Sequence, residues 1–67
     1  MIRVSLNGEP REFPAAFTFA QLLDELELEG KRLAIERNGE IVPRSRFAEA
    51  HLSDGDRIEV VVAVGGG

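Results

Sequence analysis

The sequence predicts an α+β two-layer domain, a small mixed sheet with one helix packed across a single face. Three observations carry this. The chain opens with Ile2, Val4 and Leu6 alternating with polar residues, then reaches Asn7-Gly8, the strongest short hairpin signal. A single helical stripe follows, with Phe19, Leu22, Leu23 and Leu26 spaced i, i+3, i+4 and i+7. The last apolar segment is the branched run Val60-Val61-Val62-Ala63-Val64, which suits a pleated, well-buried strand. Strands with one helix laid over one face make two layers around one core.

Each element has its own signal. Glu9 to Pro14 returns from the first turn as a second strand with Phe13 turned inward. Pro10 and Pro14 cannot donate to a ladder, so this strand belongs at an edge or is irregular. Thr18 caps the helix, and Gln21 three residues later completes a capping box. Phe17 before the cap and Leu22 inside it are placed for a hydrophobic staple. Gly30 is the expected C-terminal stop. Glu25, Glu27 and Glu29 sit near the negative end of the helix dipole, where carboxylates are mildly unfavourable and Lys31 and Arg32 soften the penalty. They read as a solvated face.

Leu33-Ala34-Ile35-Glu36 is a third strand, turning at Asn38-Gly39 into a short fourth piece around Ile41-Val42 that Pro43 ends. Ser45 is placed to cap a single turn containing Phe47, Ala48 and Glu49, with Phe47 and Leu52 pinning the loop to the core. After the turn cluster Asp54-Gly55-Asp56, Arg57 to Val64 forms the last strand. Ile58, Val60 and Val62 share one face of it, and Arg57, Glu59, Val61 and Ala63 the other. The first and last strands are richest in branched apolar residues, which places them side by side at the centre, parallel, with the helix as crossover. That arrangement is a β-grasp, the topology of ubiquitin, with four to five strands on one main helix. Residues 1–64 form the domain and 65–67 a glycine tail.

Composition excludes several functions. A chain of 67 residues holds one core, and a domain of this size buries only about 60% of its unfolded surface. Twelve acids against eight bases give a net charge of −4, unsuited to nucleic acid, whose phosphates demand a concentrated positive surface. Arg44 and Arg46 form the only tight basic pair and read as a solvated loop. An acidic module suits a basic protein groove instead. The opening residues contain no apolar signal block, and no stretch approaches the roughly 20 apolar residues that span a bilayer. With no cysteine there is no disulfide framework, and a reducing, cytoplasmic setting is expected.

Catalytic groups are scarce. His51 is a lone histidine beside Leu52 with no evident partner, and reads as a surface or loop-packing residue. Asp54 and Asp56 straddle Gly55, but a calcium loop needs further oxygen ligands and a distal glutamate; turn chemistry explains them better. No glycine loop cradles phosphate. No metal site and no autonomous catalysis are expected.

The last residues carry what chemistry remains. A valine-rich strand runs straight into Gly65-Gly66-Gly67 without a polar spacer. Three extended residues reach about 10 Å, enough to pass a channel that side chains would block. The arrangement suits a carboxylate presented to another protein's active site. A carboxylate is a poor acyl donor, so its use implies activation by a nucleotide that a partner must bind. Val61 and Ala63 lie beside this tail on the face away from the helix. They form either a docking surface or a partly covered sheet face.

Several segments together resemble a known family across essentially the whole chain: Leu6-Asn7-Gly8-Glu9, the Thr18 to Leu26 helix, Asn38-Gly39-Glu40-Ile41-Val42-Pro43-Arg44, Asp54 to Val61, and Ala63-Val64-Gly65-Gly66-Gly67. The family is the sulfur carriers of thiamine biosynthesis (ThiS). A Gly-Gly end alone is shared with ubiquitin-like modifiers and with the small subunit of molybdopterin synthase. The Asn38 to Arg44 segment and the compact length favour the thiamine carriers, and no proline pair precedes the tail. The resemblance implies a protein co-substrate, not an enzyme. An E1-like adenylyltransferase (ThiF type) would use ATP and magnesium, which the chain itself does not bind, to adenylate the Gly67 carboxylate. A persulfide donor would convert it to a thiocarboxylate, and a thiazole synthase (ThiG type) would accept the sulfur. Gly67 would carry the reaction, with Gly66 and Gly65 threading the tail and Val61 and Ala63 contacting partners. Carriage for molybdopterin or another sulfur pathway, protein modification, and an inert interaction module are the alternatives.

Overall fold

The structure, a computed structural model, describes residues 1–14 and 17–63. It contains β1 (Ile2–Leu6), β2 (Glu9–Phe13), the helix α1 (Phe19–Glu25), β3 (Leu33–Arg37), β4 (Glu40–Val42) and β5 (Arg57–Val62), with a 3-10 turn at Arg44–Arg46. The strands form one sheet in the order β2-β1-β5-β3-β4. β1 and β5 run parallel, with Leu6 opposite Ile58, while the β1–β2, β3–β4 and β3–β5 pairs are antiparallel. This is the expected α+β architecture, with five strands and with β2, the proline-bearing strand, at an edge. The boundary expected after residue 64, and with it Gly65, Gly66 and Gly67, lies outside the described residues.

Both hairpins form as their turn residues dictate. Asn7 and Gly8 have φ of 51° and 85°, and Asn38 and Gly39 have φ of 52° and 89°, the doubly left-handed backbone of a type I′ turn. The core gathers the inward positions of every layer: Val4 and Leu6, Phe13, Phe19 with Leu22 and Leu23, Ile35, Phe47, Leu52, and Ile58 with Val60. Phe17 packs at the margin of this core, its ring 5.1 Å from that of Phe13. Among the described residues no helix is long and apolar enough to cross a membrane.

The helix begins as expected and ends differently. Thr18 Oγ1 accepts from the Gln21 N–H at 3.1 Å, and Gln21 Oε1 accepts from the Thr18 N–H at 2.8 Å, closing the capping box. The two free amides ahead of that bond are satisfied by the distant loop: the Phe19 N–H donates to the Ala50 carbonyl and the Ala20 N–H to that of Phe47. At the other end Gly30 is not the stop. Glu27 adopts φ 59°, its N–H donates to the Asp24 carbonyl, and the Leu28 N–H donates to that of Leu23 at 2.8 Å. This is a Schellman closure, stabilised because Leu23 and Leu28 both pack on the core. Gly30 lies in the turn beyond it. A second correction concerns Ser45, which lies inside the 3-10 turn and does not cap it; Pro43 occupies the cap position without a side-chain bond.

A non-glycine residue in the left-handed region costs on the order of 1 kcal/mol, and Glu27 adds a carboxylate at the negative end of the helix. Glu27→Gly is therefore expected to stabilise the domain by about 1 kcal/mol, raising the thermal midpoint by roughly 4–8 °C. Circular dichroism melts check this, and a lowered midpoint refutes the account.

Candidate functional site

The end of β5 is braced on both edges where the glycine tail begins. β1 stops at Leu6, and the ladder along β5 would end with it. The Asn7 side chain carries it one residue further: its Oδ1 accepts from the Val60 N–H at 2.8 Å, and its Nδ2 donates to the Val60 carbonyl at 3.3 Å. On the opposite edge the Ala63 N–H donates to the Arg32 carbonyl at 2.9 Å. The strand therefore leaves the centre of the sheet in a defined direction. Sequence reasoning assigned Asn7 to its turn alone, because an amide that mimics a strand cannot be told from a turn residue without the neighbouring strand.

Antiparallel register sets the face that runs alongside. Because Ile35, Ile58 and Val60 are buried against the helix, the intervening side chains point outward. Val61 stands opposite Ala34 and Glu59 opposite Glu36, while Glu36 is also opposite Ile41 across β4. Val61 is 63% exposed and Ile41 62%. Ala63 is exposed too, and Arg32, Leu33, Ala34, Arg44, Val61 and Ala63 line a shallow depression at the tail end of the face. Val61 and Ala63 thus share one open apolar surface, as placed from the sequence. Glu59 belongs to the same face, as the strand period placed it, while Glu36 and Ile41 were not anticipated there and join through the register of β3 with β5 and of β4 with β3.

The remaining polar candidates have structural roles. Asp54 Oδ1 accepts from the Arg3 N–H at 2.8 Å, and the Gly55 N–H donates to the Arg3 carbonyl at 2.7 Å, so this turn anchors the start of β1. Asp56 is buried. It accepts from the Ser53 N–H at 2.9 Å and from Asn38 Nδ2 at 3.1 Å, and pairs with Arg37 Nε at 3.0 Å. Arg37 in turn lies 5.7 Å over the Phe19 ring and donates to Ser53 Oγ. His51 is exposed and bridges to Thr18 only through backbone pairing. Arg44 and Arg46 are exposed, and Arg46 pairs with Glu49.

Comparison with known proteins agrees with this architecture. Residues 4–67 match the ThiS family. The sulfur carrier protein ThiS of Bacillus subtilis is 46% identical over 65 residues, covering 96% of this chain and 98% of that protein. A thiazole synthase from Paramagnetospirillum magneticum is 44% identical over 66 residues, but the chain spans only 20% of its length. The crystal structure of the thiamine biosynthesis protein ThiS from Geobacter metallireducens aligns with a TM-score of 0.82 at 29% identity, covering 98% of this chain and 100% of that one. With the five-stranded β-grasp sheet, the single capped helix and a match that runs through the terminal glycines, the chain belongs to the ThiS family of sulfur carriers.

Proposed function

We propose that this chain carries sulfur for thiazole formation in thiamine biosynthesis, as a cytoplasmic protein co-substrate and not as an enzyme. The observation that carries the reading is the family match through residue 67, together with 46% identity to a ThiS carrier of nearly the same length. In this reading a Gly67 carboxylate oxygen attacks the α-phosphorus of ATP on an E1-like partner, and pyrophosphate leaves. The terminal sulfur of a persulfide then attacks the acyl carbon and displaces AMP. A further thiol cleaves the resulting acyl disulfide, releasing the thiocarboxylate and leaving an ordinary disulfide on the donor side. A thiazole synthase takes the sulfur; two relatives of that name contain a segment similar to this chain, which supports a working partnership. Gly65 and Gly66 supply a slim tail, and ATP and magnesium belong to the partner.

Intact-mass measurement after incubation with the activating enzyme, ATP and a persulfide donor tests the reading. Exchange of one oxygen for sulfur at Gly67 is expected. An isopeptide adduct on a lysine would instead identify a modifier, and an unchanged mass would leave an inert module. Val61 and Ala63 serve as contacts for the activating partner. Val61→Asp is expected to weaken that binding about ten-fold, the loss of one good apolar anchor, while the melting temperature holds because the side chain is already in water. Unchanged affinity by calorimetry would discard the contact.

A further inference from the structure

Asn7-Gly8 and Asn38-Gly39 occupy the two type I′ turns, and in each the asparagine amide is bound to β5 or to the residue before it. Asn7 holds both the N–H and the carbonyl of Val60. Asn38 Oδ1 accepts from the Arg57 N–H at 2.8 Å, and its Nδ2 donates to the Asp56 carboxylate at 3.1 Å. The turn by itself does not call for an amide at position 7, because Asp-Gly makes the same turn. What only the amide supplies is a donor and an acceptor together. Asparagine before glycine is also the pair most prone to lose ammonia in water, since glycine has no side chain to shield its nitrogen. Around Gly8 the space is open, with nothing within 4 Å of where a Cβ would stand.

We propose that Asn7-Gly8 is a self-modification site, at which water-driven deamidation of Asn7 releases Val60 from the β1 edge, while Asn38-Gly39 is held against the same reaction. The Gly8 nitrogen gives its proton to solvent and attacks Asn7 Cγ; a C–N bond forms and ammonia leaves. Water then opens the cyclic imide at one of its two carbonyls. Opening at Cγ gives aspartate, and opening at the main-chain carbon gives isoaspartate. One water is consumed and one ammonia released. In the type I′ turn the Asn7 ψ is about +30°, the mirror of type I, which directs the Gly8 nitrogen away from Cβ. Ring closure therefore needs the turn to open and the amide to leave its partners. At Asn7 those partners are neutral backbone groups, the Nδ2 bond is long at 3.3 Å, and the adjoining β2 is exposed at four of its five positions. At Asn38 the amide is bonded to the buried carboxylate of Asp56, which Arg37 fixes at 3.0 Å, and bonds to charged groups are stronger. Aspartate at position 7 weakens the brace, because it loses the donor and turns a carboxylate oxygen on the Val60 carbonyl. Isoaspartate removes it, because the added main-chain carbon no longer lets Leu6 and Glu9 close a two-residue turn.

Peptide mapping by mass spectrometry follows aspartate and isoaspartate at both positions in the intact chain held at mildly alkaline pH, folded and in urea. In the folded chain, position 7 is expected to convert about ten-fold faster than position 38, the factor of one charge-assisted bond over a neutral one. In urea, where neither turn exists, the two should convert alike. Equal rates in the folded chain, or a faster position 38, overturn the assignment. The consequence is read by amide hydrogen exchange at Val60, whose N–H is held by Asn7 Oδ1. That exchange is expected to be about ten-fold faster in the isolated isoaspartyl form than in the fresh chain. Asn7→Gly keeps the left-handed turn but carries no amide. It should show the same fast exchange from the start and no conversion at position 7. If Val60 exchanges no faster in the isoaspartyl form, or is as protected in Asn7→Gly as in the parent, the modification does not release the strand and the proposal fails.

Discussion

Deleting Gly67 abolishes the exchange of oxygen for sulfur, while the melting temperature of the domain stays where it was. The expected loss is complete, because the new terminal carboxylate on Gly66 would stop one residue short, about 3.5 Å, of the position that the activating site holds. Productive acyl transfer needs reacting atoms about 3–3.5 Å apart, and misplacement by as little as 1 Å can cost about a hundred-fold in rate. The melting temperature should hold because, among the described residues, the core closes with Val60 and the half-buried Val62, ahead of the tail in the chain. Adding Ala after Gly67 should be as damaging, since it displaces the carboxylate by the same distance in the other sense. Intact mass and a thermal melt on each variant decide the matter. Sulfur incorporated by the shortened chain would remove Gly67 from the reaction.

Asp56→Ala is expected to cost the fold about 3 kcal/mol, since it removes the acceptor of two hydrogen bonds in a buried position and the partner of the half-buried Arg37. Asp56 is only 7% exposed, and three groups depend on it: the Arg37 guanidinium, the Ser53 N–H and the Asn38 amide. Domains hold roughly 0.05–0.15 kcal/mol per residue, so a loss of this size is a large fraction of the total for so short a chain. Asp56→Asn keeps an oxygen for the Ser53 N–H but neither the charge nor the full acceptor capacity. It should be the milder change and separates hydrogen bonding from charge. Urea unfolding of the two variants measures both, and a loss below about 1 kcal/mol for the alanine variant would show that the network contributes little.

Asp54-Gly55-Asp56 illustrates how far a sequence can be read. Its role as a turn was legible, because Asp and Gly have local reasons to occupy turns. That Asp54 fastens β1 while Asp56 is buried under Arg37 was not, since Arg3, Arg37 and Asn38 come from two distant strands and a hairpin. The helix shows the same division. Its capping box is a contact between residues three apart, and it formed as expected. Its C-terminus was misplaced at Gly30 because glycine is the local preference, whereas burial of Leu23 and Leu28 holds Glu27 in the left-handed region against that preference. Among the residues of the candidate site, the outward placement of Val61 and Ala63 followed from the period of a strand. So did that of Glu59, whereas Ile41 and Glu36 joined them only through register.

Local chemistry alone therefore determined the order of the elements, both type I′ hairpins, the start of the helix, the parallel pairing of first and last strands, and the family that the terminal glycines and flanking motifs resemble. These follow from interactions spanning a few residues, or from patterning that only one compact topology satisfies. The tertiary structure decided which positions of β5 oppose β1 and β3, that Asp56 is buried against Arg37 and Asn38, and that an asparagine amide extends the ladder beside the last strand. Each of these depends on groups separated by 18 to 53 residues. Their contact energies arise only after the chain has closed, so no local preference along the sequence encodes them.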